Sequence, residues 1–452
     1  MENHTTRPHH VAVVGSGPSG FYAAAALLDA DLDVRVDMFD RLATPWGLVR
    51  AGVAPDHPKI KSVSAQYDKT ARREGFRFFG HVHLGEDITR DELLERYDAV
   101  VYAVGSQTER RLGIPGEDLP GSIASVDFVG WYNGHPDHVD LAPPLDTERA
   151  VVIGAGNVAL DVARMVLLPE ADLRATDTAD HALDALVASS VREALICGRR
   201  GPREAAFTTT ELRELADIDD LAVVADPEQV PAGIADDDTL PKATRRNLEI
   251  LRGFAEHAPD PDAGHRMEFR FYRSPIELRG DGRVEEIVLG VNRLETGEDG
   301  RTRAVDTGER ETVATGLVLR AVGYRGMALP GVPFDDETGT VPHEEGRITG
   351  RDREYVVGWI KRGPTGIIGT NKKDANETVR HLVADLGGRA PAERDEDHHA
   401  AVESWLRERC TDLVDQTGWE AIDAHERGRG EPAGRPRVKV VDRAEFTKLS
   451  RP

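Results

Sequence analysis

Two glycine fingerprints, each directly after a short apolar run, constrain this chain more than any other feature. The first reads Val11-Ala12-Val13-Val14-Gly15-Ser16-Gly17-Pro18-Ser19-Gly20, the second Ala150-Val151-Val152-Ile153-Gly154-Ala155-Gly156-Asn157-Val158-Ala159. A strand that runs through G-x-G-x-x-G into a helix makes a tight turn and brings backbone N–H groups close to a pyrophosphate. The helix N-terminus behind the turn favours the anion. The alanine that ends the second copy is permitted there, because that position packs helix against strand. After the first copy, Asp40 follows Gly20 at the spacing of about 20 residues expected for an acid that bonds a ribose hydroxyl. After the second, the next strand-like run (194–197) ends in Gly198-Arg199-Arg200, and arginine there suits a 2′-phosphate. The contrast predicts FAD in the first half of the chain and NADP(H) in the second. Each half taken alone also fits a plainer reading: a nucleotide-free Rossmann repeat, or an arginine pair on a solvated turn.

A chain of 452 residues accommodates two or three domains with real cores. The net charge of −23 argues against nucleic acid as a partner, since neutralising phosphates needs a basic surface. Cys197 and Cys410 are the only cysteines, so there is neither a C-x-x-C redox pair nor an iron–sulfur ligand set. That excludes the two-dinucleotide flavoproteins that keep a dithiol beside the flavin. No run approaches the ~18–20 apolar residues of a membrane span, and the first strand begins near residue 11, which leaves no room for a targeting segment. A soluble, reduced, cytoplasmic enzyme without a metal is expected.

Short apolar strands alternate with helical stretches, the pattern of an α/β fold. Residues 11–40 form the first βαβ unit. A Pro/Gly-rich loop over 43–58 follows, then a helix over 60–73, a strand over 77–84, a helix over 90–96 and a strand over 99–104. A second nucleotide domain starts at 147 and carries an acidic, alanine-rich insertion near 172–190. Strands over 268–272 and 284–294 continue it. The strand 316–321 ends in Val322-Gly323-Tyr324, much as the earlier one ends in Val104-Gly105. From there the chain is expected to return to the first domain through 355–369 and a helix from about residue 372. The polar tail 390–452 has Trp405 and Trp419 as anchors. The predicted architecture is two Rossmann-like domains, with an NADP domain (109–325) inserted into a discontinuous FAD domain (1–108 and 326–452).

The motifs in this order resemble the adrenodoxin-reductase type of ferredoxin–NADP⁺ reductase, bacterial members included, over nearly the whole chain. Besides the fingerprints they include Thr44-Pro45-Trp46-Gly47-Leu48-Val49-Arg50, Val53-Ala54-Pro55-Asp56-His57-Pro58 and Gly198-Arg199-Arg200-Gly201-Pro202. Ala206-Phe207-Thr208, Glu211-Leu212-Arg213-Glu214 and Gly358-Trp359-Ile360-Lys361-Arg362-Gly363-Pro364-Thr365-Gly366 complete the set. The run Gly369-Thr370-Asn371-Lys372-Lys373-Asp374-Ala375 looks more like the bacterial members. Asp40 departs from the glutamate of many relatives, although the shorter carboxylate can still reach a ribose.

The resemblance implies hydride transfer from NADPH to FAD and then one-electron transfer to a ferredoxin-type iron–sulfur protein, for which a flavin is suited. It implies that Gly15, Ser16, Gly17, Pro18, Ser19, Gly20, Asp40, Gly47, Leu48, Val82 and Leu84 contact FAD. Gly366, Ile367 and Ile368 lie where a helix N-terminus would face the flavin N1–O2 edge. On the NADP(H) side it implies Gly154, Gly156, Asn157, Val158, Ala159, Arg199, Arg200 and Glu211, with Trp359 and Gly366 bordering the nicotinamide pocket, and it adds Arg110 as a cofactor-binding residue. His57 and Glu214 fall at family positions near the flavin ring, where an ion pair could relay a proton or bias the potential. A histidine that merely braces the loop between Pro55 and Pro58 is the alternative.

In so acidic a chain the basic residues Arg213, Lys242, Arg245, Arg246 and Arg252 stand out, with 241–254 read as a helix. The resemblance makes Arg213, Lys242 and Arg246 docking positions for an acidic ferredoxin, whose complementary charge would speed association. The same residues also suit an ordinary solvated helix face. Three competing readings remain open: an NADPH diaphorase or oxidase with another acceptor, a glutamate-synthase-like subunit, and a nucleotide-sensing scaffold without turnover.

Overall fold

The computed structural model describes residues 7–256, 260–366, 368–394 and 398–451. The chain divides into two compact units. The first comprises the described parts of Met1–Val53, His57–Thr108 and Tyr324–Pro452, and the second Ala54–Asp56 with the described parts of Glu109–Gly323.

The first unit is built on β1 (His9–Val14), β2 (Val34–Phe39), β3 (Phe76–Gly80) and β4 (Ala99–Tyr102). They lie side by side in the order β4-β1-β2-β3, all parallel. Every residue of β1 is buried, as a central parallel strand covered on both faces requires. Glu354–Val356 extends this sheet in parallel beside β4, while Val414–Asp415 closes the far edge antiparallel to β3. The helix α1 (Pro18–Leu28) buries Phe21, Tyr22, Ala23, Ala24 and Leu27 and packs along the helix Ile368–Gly387.

The second unit repeats the plan. Six parallel strands run in the order Ser122–Ala124, Leu317–Arg320, Arg149–Ile153, Glu193–Cys197, His265–Arg270, Leu221–Ala225. A separate antiparallel sheet of Arg273–Arg279, Glu286–Thr296 and Thr302–Ala314 lays Leu278, Ile287, Leu289 and Val313 against Val151, Ile153, Leu195 and Val318. The strand expected over 284–294 is Glu286–Thr296; it lies in the second unit as expected, on this antiparallel sheet. Ile287, Val288, Leu289 and Gly290 are buried in succession, and the strand becomes exposed towards Arg293, Glu295 and Thr296.

Other elements differ locally from expectation. The helix expected over 60–73 is two helices, Pro58–Lys61 and Ser64–Ala71, because Ser62 Oγ donates to the Lys59 carbonyl at 2.6 Å and competes with the helical ladder. The strand expected over 77–84 stops at Gly80: His81 takes φ +57° and Val82 N–H turns to the Asp40 carbonyl. The later helix begins at Ile368, ahead of the expected 372. In the tail, Trp419 is buried and Trp405 half-buried, the former on the helix Gln416–Gly430. Among the described residues no helix is long and apolar enough to cross a membrane.

Candidate functional site

The first fingerprint turns at Gly15, whose φ is +108° and where a Cβ would lie 2.5 Å from the Ala103 carbonyl oxygen. A Cβ on Gly20 would meet the Gly15 oxygen at 2.0 Å, so both positions demand glycine for chain packing. Gly17 differs: its nearest neighbour would be 3.9 Å away, leaving that face of the loop open. Gly17 caps α1 without any side-chain bond, and Pro18 occupies the first turn, where a missing N–H costs nothing. An open glycine face before an uncapped helix start fits a bound pyrophosphate.

Asp40 braces this loop directly. Its Oδ2 accepts from Ser16 N–H at 2.8 Å and Ser16 Oγ at 2.5 Å, and Oδ1 accepts from Leu42 N–H at 2.9 Å. A carboxylate offers about four lone-pair sites, so acceptor capacity remains for a ribose hydroxyl.

Two further segments converge on the same helix start. Trp46 N–H donates to the Ser16 carbonyl at 2.9 Å, and Gly47 (φ +50°) packs on Gly17 ahead of the short helix Leu48–Ala51. Gly358 (φ +79°) lies where a Cβ would meet Ser19 Oγ at 2.2 Å. Its N–H donates to Asp374 Oδ2 at 2.6 Å, and the other Asp374 oxygen pairs with buried Lys361 at 2.8 Å. Trp359 stacks obliquely on Tyr324 and keeps a buried indole N–H without a hydrogen-bond partner among the described residues. Val82 and Leu84 are buried beyond β3. Gly366 (φ +81°) precedes the helix that starts at Ile368, while Ile367 lies outside the described residues.

In the second unit Gly154 (φ +148°) approaches the Ala321 carbonyl as Gly15 approaches that of Ala103: a Cβ on Gly154 would lie 2.2 Å from the Ala321 oxygen. Gly156 caps the helix Asn157–Met165 without a side-chain bond. Asn157 ties this turn to the next loop: Thr208 N–H donates to its Oδ1 at 2.8 Å, and its Nδ2 donates to Thr208 Oγ1 at 3.2 Å. Val158 is half-buried beside Ala159, which is fully buried against the sheet.

Arg199 is exposed and Arg200 half-buried, and neither guanidinium forms an ion pair among the described residues. Their backbones are fixed instead. Asn292 Nδ2 donates to the Arg199 carbonyl at 2.8 Å and Tyr272 N–H to that of Arg200 at 3.1 Å. Two arginines on a fixed backbone at the strand end fit a phosphate. Arg110 is exposed, with its N–H on the Gly323 carbonyl.

No sequence pattern singles out Arg164. It is buried and reaches Asp56 at 2.5 Å, Asp161 at 2.9 Å and Glu211 at 3.6 Å. Despite its burial, these carboxylates hold its pKa above the ordinary arginine value. The quoted motifs contain Asp56 and Glu211, but nothing in their spacing signals the cluster. Glu211 thus sits buried in the first turn of the helix Thr209–Glu214, which half-buried Glu214 ends. His57 belongs to the first unit, where its carbonyl accepts from Ile60 and Lys61.

The helix Lys242–Glu256 buries Asn247, Leu248 and Leu251 and leaves Lys242 and Arg246 outside the core. It packs on Thr209–Glu214 through Thr209 Oγ1 and Asn247 Oδ1 at 2.7 Å, and Arg213 is exposed there. Exposure on this helix face, expected for all of the basic residues, fails for two that are half-buried and paired: Arg245 with Asp238 at 2.5 Å, and Arg252 with Glu256 at 2.8 Å.

The family profile described as pyridine nucleotide-disulphide oxidoreductase matches residues 9–195. The cysteines are nevertheless free and buried, one in each unit. The chain is 56% identical to the NADPH-ferredoxin reductase FprA of Mycobacterium tuberculosis, over 98% of this chain and 99% of that protein. It is 42% identical to the mitochondrial NADPH:adrenodoxin oxidoreductase of Salvelinus fontinalis, over 98% and 91%. The solved structure of Mycobacterium tuberculosis FprA in complex with NADPH superposes with a TM-score of 0.95 at 55% identity, covering 98% of this chain and all of that one. With two glycine-loop units and this extent of identity, the chain belongs to the family of the FprA-type NADPH-ferredoxin reductases and the NADPH:adrenodoxin oxidoreductases.

Proposed function

We infer that this chain is an NADPH-dependent flavoenzyme that passes reducing equivalents from NADPH through FAD to a ferredoxin-type iron–sulfur protein. The observation that carries this reading is the contrast between its two glycine loops. One is followed by Asp40, bonded into its own loop, and the other by Arg199 and Arg200 with no carboxylate partner among the described residues. Relatives named as reductases of ferredoxin and adrenodoxin support the acceptor class.

Bound FAD supplies the exchange between a hydride donor and a one-electron acceptor. The first unit holds it. Gly15, Gly17, Gly20 and the start of α1 bind the pyrophosphate, Asp40 the adenosine ribose, and Gly47, Leu48, Val82 and Leu84 its flanks. The N-terminus of Ile368–Gly387 would offer N–H groups and a positive dipole end to the flavin, favouring negative charge on it. In the second unit Gly154, Gly156 and Ala159 shape the pyrophosphate turn, Arg199 and Arg200 grip the 2′-phosphate, and Glu211 contacts a ribose. His57 and Glu214 handle protons. A His57→Gln variant whose hydride-transfer rate is unchanged at every pH would remove His57 from that role.

The acceptor docks on Arg213, Lys242 and Arg246, basic residues of this region without ion pairs among the described residues, which suit an acidic protein. The decisive experiment is cytochrome c reduction by NADPH with and without ferredoxins. The purified protein should be yellow, bleach with NADPH and depend on ferredoxin for its full rate. A ferredoxin-independent rate as high as the dependent one would favour a diaphorase.

A further inference from the structure

Glu426 is 0% exposed in the helix Gln416–Gly430, remote in sequence from both glycine loops. Its carboxylate is saturated. Oε1 accepts from Arg50 at 2.5 Å and from Val440 N–H at 2.9 Å, and Oε2 accepts from Arg50 at 2.8 Å and Arg437 at 2.9 Å. Arg437 also reaches Asp423 at 2.7 Å. Aromatic rings close the cluster: Trp46 meets Trp419 edge-on at 4.9 Å, Arg50 lies over Trp419 and Arg437 over Trp46.

Arg50 belongs to the short helix Leu48–Ala51, directly after the turn that touches the glycine loop at Ser16 and Gly17. That turn holds a conformation unfavourable for its side chain: Trp46 carries φ +86°. Such conformations persist only when their surroundings hold them. Apolar packing could fill this space without desolvating three ions, so the cluster is poorly explained as a source of stability. A two-pronged arginine–carboxylate contact instead fixes direction and distance.

We propose that Glu426, acting through Arg50 and Arg437, is a positioning residue for FAD that holds the Trp46–Leu48 turn against the glycine loop. The proposal rests on the assignment of FAD to the first unit. It gives the C-terminal segment a part in cofactor geometry although it need not touch the cofactor.

The test compares Glu426→Gln and Arg50→Lys with Leu406→Ala, a buried apolar change in the helix His398–Arg409 that lowers stability without touching the cluster. FAD dissociation is read from released-flavin fluorescence, and flavin seating from the visible circular dichroism of the bound form, well below the unfolding temperature. Both charged-cluster variants should weaken FAD binding at least about tenfold and alter the flavin spectrum, whereas Leu406→Ala should do neither. Wild-type affinity and spectrum in the cluster variants would overturn the proposal. Should Glu426→Gln fail to fold, Arg50→Lys, which keeps the positive charge and loses the fork, decides. A wild-type protein that takes up no FAD would overturn the underlying assignment as well, an outcome distinct from unchanged binding in the variants.

Discussion

Gly47 lies so close to Gly17 that a Cβ on Gly47 would sit 2.8 Å from the Gly17 Cα. Two glycines from different segments therefore form one surface, and neither can be judged from its own motif. With φ at +50°, alanine at 47 adds a conformational cost of about 1–2 kcal/mol to this clash. Gly47→Ala should lower FAD affinity at least about tenfold while leaving helix content unchanged, measured by flavin release and far-ultraviolet circular dichroism. Full flavin retention would mean that the 43–48 turn does not border the cofactor.

Arg199 and Arg200, whose guanidinium groups form no ion pair among the described residues, predict coenzyme selectivity. Charge-assisted bonds are worth about 1.5–3 kcal/mol each, so Arg199→Ala with Arg200→Ala should cost several kcal/mol of preference for NADPH over NADH. The ratio of kcat/KM for the two coenzymes measures this. A double variant that keeps the full preference would place the 2′-phosphate elsewhere.

Salt should slow ferredoxin reduction, because opposite charges steer encounter and ions screen them. Arg246→Ala should lower the association rate and flatten its salt dependence. Arg245→Ala should do much less, since that guanidinium is already paired with Asp238. Equal effects from the two substitutions would argue against docking on this helix.

Glu109 gives the second unit a pH dependence. Burial pushes its carboxyl up from the ordinary 4.5 to about 7, against the opposing pull of N–H groups on Val322 and Ser125. The folded protein therefore holds this proton more tightly than the unfolded chain. The stability so contributed is fully present below about pH 4.5 and is lost as pH rises through about 7. The difference in unfolding free energy between wild type and Glu109→Gln should fall across that window by at most about 1.4 kcal/mol per pH unit. A flat difference would show that Glu109 stays ionised throughout.

What could be read in advance was local. A strand, a glycine turn, a helix and the residue ending the next strand lie within a short stretch of chain, and backbone sterics tie each to its neighbours. That is why the turns at Gly15 and Gly154, and the places of Asp40 and Arg199 just past a strand end, are legible in spacing and composition. The element edges were less legible: Ser62 breaks a helix through a side-chain bond to Lys59, and His81 ends a strand in a left-handed conformation.

The amino-acid sequence by itself determined two nucleotide-type α/β halves and the opposite charges that end their second strands. Only the tertiary structure decided which polar groups are used up and which remain available. Arg245 is taken by Asp238, Arg164 by Asp56 at a separation of 108 residues, and Arg50 by Glu426 at 376. Side-chain partnerships of this kind depend on where distant segments meet in the packed core, and no local pattern carries that information.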